Sequence, residues 1–125
     1  MSSVFFISDK ICIKPCEYGF GVFAKNHIYK NEILESSPCI TLDDEELLIG
    51  GLLNDYIFDN TLAKKSFLVG LGYSSLYNHS DDPNAGFEVF TYEDEFNNNR
   101  QGIRITALKN ICKDNQIMIY YGYNV

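Results

Sequence analysis

The sequence predicts a single, mainly β domain. Short runs of β-branched and other apolar residues recur at small intervals, and clusters of turn-forming residues separate them. The third observation is length, because 125 residues suit one ordinary domain and are too few for two. We therefore treat residues 1–125 as one domain and expect many short strands joined by tight turns.

The predicted strands follow the apolar runs in chain order. Each run is rich in Ile, Val, Phe or Tyr, which suit the pleated, half-buried surface of a sheet. The strands are expected at residues 4–7, 11–13, 22–24, 39–42, 87–92, 103–107 and 117–121. Turns are expected at residues 8–9, 17–21, 36–38, 81–84 and 97–102, where Gly, Pro, Asn, Asp and Ser concentrate.

One helix is predicted to begin near Thr41. The residues 41–44, Thr-Leu-Asp-Asp, resemble a capping box, and Glu45 and Glu46 would face the positive end of the helix dipole. The pair Gly50 and Gly51 should end the helix. Residues 92–101 are polar and predict an exposed, mobile loop.

The charge balance indicates which partners to expect. The chain has 17 acidic and 10 basic side chains, a formal net charge of -7 at pH 7. Binding to a phosphate backbone draws on clustered Lys and Arg, so we expect no direct nucleic-acid partner. The acidity favours a cationic partner such as a lysine-rich peptide.

Neither a membrane segment nor a secretory signal is predicted. No apolar run approaches the 18 residues that a membrane helix needs, and residues 1–7 lack a basic segment and a cleavage site. We expect an intracellular protein, in the cytoplasm or nucleus, with no membrane partner. Buried thiols are favoured over disulfides or a zinc site, and no metal is expected, because none of the cysteines forms a Cys-x2-Cys pair. The candidate ligands considered are Cys12, Cys16, Cys39, Cys112, His27 and His79.

Three segments combine glycine, aromatic and amide groups beyond what a small domain needs for folding. In the first, Gly19 and Gly21 would let a ligand approach the backbone, and Phe20 could stack on a flat ring. Taken alone, this segment is better explained as a hairpin turn with a buried phenylalanine. It also lacks the third glycine and the helix of a dinucleotide-binding motif.

The second segment, Asn78-His79-Ser80 followed by Pro83-Asn84, is dense in hydrogen-bonding groups between aromatic residues. It is typical of a binding site, although such residues also satisfy backbone groups in turns. The third segment is a strand that ends in Tyr121-Gly122, where a tyrosine hydroxyl could serve a reacting centre. A final core strand with tyrosines at its wet end is the simpler explanation of this segment alone.

In this order and spacing, the three segments resemble the SET domain of protein-lysine methyltransferases, in its short stand-alone viral and bacterial form. The first segment is similar to the family's Gly-x-Gly motif, the second to its Asn-His-Ser and Pro-Asn, and the third to its Tyr-Gly. Residues 54–58, Asn-Asp-Tyr-Ile-Phe, are similar to a strand of short members. The resemblance extends from about Ile11 to Gly122.

The resemblance implies a SET fold of β-clip type, with small curved sheets, a C-terminal pseudoknot and one or two short helices. It implies S-adenosylmethionine as methyl donor and a lysine of a protein as acceptor, with a histone as one candidate. Residue by residue, Gly19, Phe20, Gly21, Asn78 and His79 would bind the donor, and Tyr121 would be catalytic. Tyr56 and Tyr73 would line the lysine channel, whereas Tyr18 and Tyr77 are better placed as core aromatics. A viral member would act in the host cell.

Two departures from the family pattern bear on activity. Residues 113–116, Lys-Asp-Asn-Gln, replace the family's Gly-Glu-Glu before the last strand, so a supporting carboxylate is missing or shifted. Tyr123-Asn124-Val125 follows Tyr121-Gly122 and lacks the family's closing aromatic or zinc cluster. Closure would then come from a second subunit, from the substrate or not at all. A homodimer is therefore one hypothesis. The alternatives to an enzyme are a catalytically inactive SET-like module that binds a peptide or protein, and a plain β-rich interaction domain.

Overall fold

The computed structural model describes residues 5–17, 19–43, 57–59, 66–73 and 76–120, and these residues form a mainly β protein. No α-helix occurs among them. The prediction of a mainly β fold with small sheets is therefore confirmed. The strands of the described ranges are β1 (Phe6–Ile7), β2 (Ile11–Cys16), β3 (Gly19–Ala24), β4 (Ile33–Asp43), β5 (Ile57–Asp59), β6 (Ser66–Gly70), β7 (Asn78–His79), β8 (Ala85–Glu93), β9 (Asn99–Ala107) and β10 (Gln116–Ile119).

These strands form two sheets. The larger has the order β5-β6-β4-β9-β8, with β1 also paired to β4, and the smaller has the order β2-β3-β10-β7. Strands β7 and β10 pair in parallel, whereas β10 is antiparallel to β3. The parallel pair brings residues about 40 positions apart side by side, because the chain passes through the β8–β9 hairpin before it returns as β10.

One hydrophobic core joins the two sheets. Along β9 and β10, buried and partly exposed residues alternate, as expected for strands with one face covered. Each fully buried aliphatic side chain stabilises the fold by about 1.5–3 kcal/mol relative to an exposed one. The core consists of Ile11, Val22, Ala24, Ile28, Leu34, Leu68, Tyr77, Ala85, Ile103, Ile105, Ala107, Ile111, Ile117 and Ile119.

The prediction that a helix begins near Thr41 is wrong. Strand β4 continues through Asp43, where Thr41 pairs with Leu68 and Asp43 pairs with Ser66. The ladder with β6 overrides the local capping signal, a common effect of tertiary context on weak propensity. The remainder of the predicted helix, up to Gly50 and Gly51, lies outside the described residues.

The turn predicted at residues 36–38 is also wrong, because these residues lie inside β4. Pro38 stands opposite Gly102 of β9. A proline has no N–H for the ladder, but its carbonyl oxygen accepts a hydrogen bond from the N–H of Leu71 at 3.0 Å. The strand therefore accommodates Pro38, a residue type that predicts a turn when the sequence is considered alone.

Residues 92–101 form a tight hairpin end rather than a long loop, because β8 runs to Glu93 and β9 begins at Asn99. The Asp94 carboxylate organises the turn: Oδ1 accepts the N–H groups of Phe96 and Asn98 at 2.8 and 3.0 Å, and Oδ2 accepts Nε of Arg100 at 3.0 Å. The N–H of Asn98, followed by the Arg100 side chain, lowers the pKa of Asp94. The turn predicted at 97–102 overlaps strand β9.

The four cysteines are free thiols, and none is fully buried. Cys12, Cys16 and Cys39 are half-buried and Cys112 is exposed, so the expectation of buried thiols is wrong in degree. Within the described ranges, no three His, Cys, Asp or Glu residues cluster as metal ligands do. The same ranges contain no helix long and apolar enough to cross a membrane.

Candidate active site

The glycine segment and the Asn-His segment lie in the same sheet, on either side of β10. On one side, Gln116 pairs with Phe23 and Ile117 with Val22. On the other side, Met118 pairs with Asn78. Two segments separated by more than 50 residues in the sequence are therefore brought together by a central strand of four residues.

The side-chain amide of Asn78, on β7, contacts the other three strands of this sheet. Its nitrogen Nδ2 donates to Gln116 Oε1 at 2.7 Å, to the carbonyl oxygen of Phe20 at 3.3 Å and to Cys16 Sγ at 3.5 Å. A backbone carbonyl can only accept, so Nδ2 and not the amide oxygen faces Phe20. Among the described residues, no donor reaches Asn78 Oδ1. The amide thus presents an acceptor to a further group.

Gly21 lies directly against this pair of amides. A Cβ atom at this position would come within 2.6 Å of Gln116 Oε1 and 3.1 Å of Asn78 Nδ2. Two residues earlier, Gly19 has a φ of 103°, which side chains of L-residues rarely adopt. Backbone conformation therefore favours glycine at position 19, and a larger residue at position 21 would displace the Gln116 side chain.

Phe20 lies between the two glycines and exposes 59% of its surface. The hairpin explanation predicted a buried phenylalanine, so the structure contradicts that part of it. The exposed ring leaves an apolar face on which a flat group can stack.

His79 lies one residue further along β7, opposite Ile119. Its Nε2 atom is 3.2 Å from Asp81 Oδ1. Its ring packs against Tyr120, with 5.0 Å between centroids and 45° between planes. This contact joins the Asn-His segment to the end of the strand that leads into Tyr121.

Asn84 has a structural role in this arrangement. Its Nδ2 donates to the carbonyl oxygen of Gln116 at 2.9 Å, and its Oδ1 accepts the N–H of Met118 at 2.8 Å. The side-chain amide therefore imitates a neighbouring strand and holds β10 along one edge. For this residue, the explanation by satisfied backbone groups is confirmed.

Tyr73 and Tyr77 both lie near the core, and both contact a carboxylate that the sequence analysis missed. Tyr73 is half-buried, and its N–H donates to Glu35 Oε2 at 3.0 Å. Tyr77 is 1% exposed, which confirms its interpretation as a core aromatic, and its hydroxyl donates to Glu35 Oε1 at 2.8 Å. The sequence feature that points to this carboxylate is its position directly after the apolar pair Ile33-Leu34.

Several predicted site residues lie outside the described residues. They are Tyr18, Tyr56 and Tyr121, together with Gly122 of the terminal motif. The strand expected after Tyr56 is present in part, because Ile57–Asp59 forms β5. The structure thus brings together the predicted donor-binding residues, whereas the tyrosines predicted at the reacting centre keep their status as predictions.

The fold and this arrangement define a small β protein in which separate glycine and amide segments share one sheet. Comparison with protein-family models matches the SET domain over residues 19–122, which is most of the chain. The chain belongs to the SET domain family. Members of this family are typically protein-lysine methyltransferases, and these generally use S-adenosylmethionine.

A solved structure supports the same assignment. The chain is similar to the crystal structure of a Plasmodium falciparum protein described as a candidate histone methyltransferase, with a TM-score of 0.73 and 36% sequence identity. The match covers 93% of this chain and 100% of the other. A search of curated proteins found no significant match.

Proposed function

We propose that this chain, as one SET domain over residues 1–125, is a protein-lysine N-methyltransferase that uses S-adenosylmethionine. The observation that carries the proposal is the orientation of Asn78. Its Nδ2 atom, with two hydrogens, faces the acceptors of Gln116, Phe20 and Cys16, so its Oδ1 atom can accept from a cationic donor. The α-ammonium group of S-adenosylmethionine is such a donor.

The other donor-binding residues fit the same ligand. The exposed Phe20 ring can stack on a purine. Beside that ring, Gly19 leaves open space next to its backbone, whereas Gly21 lies against the amides of Gln116 and Asn78. The half-buried His79 and its neighbour Tyr120 supply further aromatic surface. These residues therefore provide an acceptor for the ammonium and a flat apolar face for the adenine.

When bound, the donor supplies an electrophilic methyl group on a sulfonium, which is transferred in line to a lysine amine. The amine must be neutral, and a free lysine, with a pKa near 10.4, is neutral in only about one molecule in a few thousand at pH 7. Tyr56 and Tyr73 would form an apolar channel whose desolvation lowers the lysine pKa. The Tyr121 hydroxyl would orient the amine without adding a full charge.

The substrate of the proposed enzyme is a lysine in a basic protein segment, and a histone tail is one candidate. The formal net charge of -7 attracts such a segment over long range. Cytoplasm and nucleus both hold such substrates. Sizing of the protein in solution would test the hypothesis of a homodimer.

The experiment measures donor binding by calorimetry and transfer of a labelled methyl group to histones and lysine-rich peptides. We expect Tyr121→Phe to lower kcat on the order of a hundredfold while the donor Kd stays unchanged. Tyr29→Phe is the matched control, because Tyr29 is exposed and contacts His27 and Lys10 instead of the site.

Two results would count against the enzyme. Absence of both donor binding and transfer would refute the proposal. Donor binding without transfer to any substrate would favour the inactive SET-like binding module in its place.

A further inference from the structure

Glu35 is a buried carboxylate to which neither the donor site nor the lysine channel assigns a role. It lies on β4, between Ile7 of β1 and Ile105 of β9, and its exposure is 0%. A buried carboxylate without hydrogen-bond partners costs several kcal/mol of stability or more. Its partners therefore indicate why this small domain retains it.

The contacts of Glu35 point toward one segment of the chain. Its Oε1 accepts the hydroxyl of Tyr77 at 2.8 Å, and its Oε2 accepts the N–H of Tyr73 at 3.0 Å. Between β6 and these donors lies Gly72, where a Cβ atom would come within 2.5 Å of Glu35 Oε2. A further donor to Oε2, the Ser37 hydroxyl at 2.5 Å, belongs to β4 itself.

We propose that Glu35 is a positioning residue for the methyl-transfer site, an inference that rests on the proposed function. It holds the segment from residue 72 to residue 77 at both ends. That segment carries Tyr73 of the expected lysine channel and continues directly into Asn78 of the donor site. Glu35 thus aligns the two halves of the site from within the core.

The physical reason is the sensitivity of an in-line transfer to geometry. A displacement of about 1 Å in a positioning group can lower a rate on the order of a hundredfold. The Tyr77 hydroxyl is fixed by Glu35 one residue before Asn78, whose amide contacts three strands. Loss of the hydroxyl contact frees the end of the segment at the point where β7 begins.

The test compares two deletions of a single buried hydroxyl that donates to the same carboxylate. Tyr77→Phe removes the contact that reaches the site segment, and Ser37→Ala removes the contact within β4. We expect Tyr77→Phe to lower kcat/KM for a lysine peptide roughly tenfold relative to Ser37→Ala, measured where both variants are fully folded. Glu35→Gln keeps side-chain length and one acceptor oxygen, and its new amide nitrogen can donate to the Tyr77 hydroxyl; it is the conservative variant and should resemble Ser37→Ala more than Tyr77→Phe.

Equal kcat/KM values for Tyr77→Phe and Ser37→Ala would overturn the inference, because a merely structural role predicts similar effects. If the wild-type protein transfers no methyl group, the proposed function fails separately. The inference is then judged by the Asn78 side-chain amide signals in a nitrogen-15 NMR spectrum. A shift in Tyr77→Phe that is absent in Ser37→Ala supports it, and unchanged signals in both overturn it.

Discussion

The substitution Gly21→Ala tests the contact between the amides of Gln116 and Asn78 with the smallest possible change. The new Cβ atom would lie 2.6 Å from Gln116 Oε1, and ordinary van der Waals contact begins at 3.4 Å. The oxygen must therefore retreat by about 0.8 Å. A movement of this size disrupts its 2.7 Å hydrogen bond with Asn78 Nδ2.

The expected magnitude follows from one hydrogen bond. Its loss costs about 1 kcal/mol of stability. Replacing glycine also reduces the freedom of the unfolded chain, and this effect stabilises the folded protein by about 0.4–1 kcal/mol. Gly86→Ala carries the same offset in strand β8, where the Cβ atom meets only the flexible end of the exposed Leu108 side chain, at 3.3 Å. We therefore expect the free energy of unfolding of Gly21→Ala to lie about 1 kcal/mol below that of Gly86→Ala.

Urea denaturation measures this difference in stability, and calorimetry with S-adenosylmethionine measures the effect on the site. Because Asn78 loses one of the groups that hold its amide, the donor Kd should rise roughly fivefold in Gly21→Ala and stay at the wild-type value in Gly86→Ala. Equal stability and equal donor affinity in the two variants would refute the reasoning. Such a result would mean that Gln116 has room to move without releasing Asn78.

Three further predictions concern the scaffold. Asn84→Ala removes both side-chain bonds to β10 and should lower the free energy of unfolding by about 2 kcal/mol in urea denaturation, and an unchanged midpoint would contradict the strand-imitating role. Burial raises the pKa of Cys39 to about 11. At pH 8 its thiol should therefore be alkylated far more slowly than that of exposed Cys112, measured by mass spectrometry. Equal alkylation rates would contradict this prediction. The pKa of Asp94 is lowered mainly by the N–H of Asn98, so its stabilisation is present above pH 3.8 and is lost as pH falls through the lowered value. Asp94→Asn should flatten this acid-side loss in pH-dependent thermal melts, and an unaltered pH profile would exclude the effect.

The predicted strands correspond well to the observed ones where the signal is local. The runs at residues 87–92 and 103–107 lie within β8 and β9, because alternating burial along a strand is visible in the sequence. The region around residues 33–43 was predicted poorly. Its apolar run is interrupted by Glu35 and Pro38, and contacts with residues far along the chain, such as Tyr77 and Leu71, help to accommodate them.

The residues predicted to bind the donor are conspicuous in the sequence, because Gly19, Gly21 and the Asn78-His79 pair form unusual local patterns. The role of each residue within the pattern was not predictable. Asn78 and Asn84 have the same side chain, yet Asn84 uses both ends of its amide on the backbone of β10. Toward the described residues, Asn78 uses only its nitrogen, since Gln116 and Phe20 both accept from it.

By itself, the sequence determined that this chain is mainly β and that glycine, amide and tyrosine segments follow one another in a fixed order. Both properties are local, since strand periodicity and glycine conformation depend on neighbouring residues. Only the tertiary structure decided that β7 and β10 pair in parallel, that the nitrogen of Asn78 donates to Gln116, and that Glu35 is buried beneath the segment leading to Asn78. These facts depend on contacts between residues about 40 or more positions apart. At such a contact, the group that the folded chain brings close determines whether an amide side chain donates or accepts.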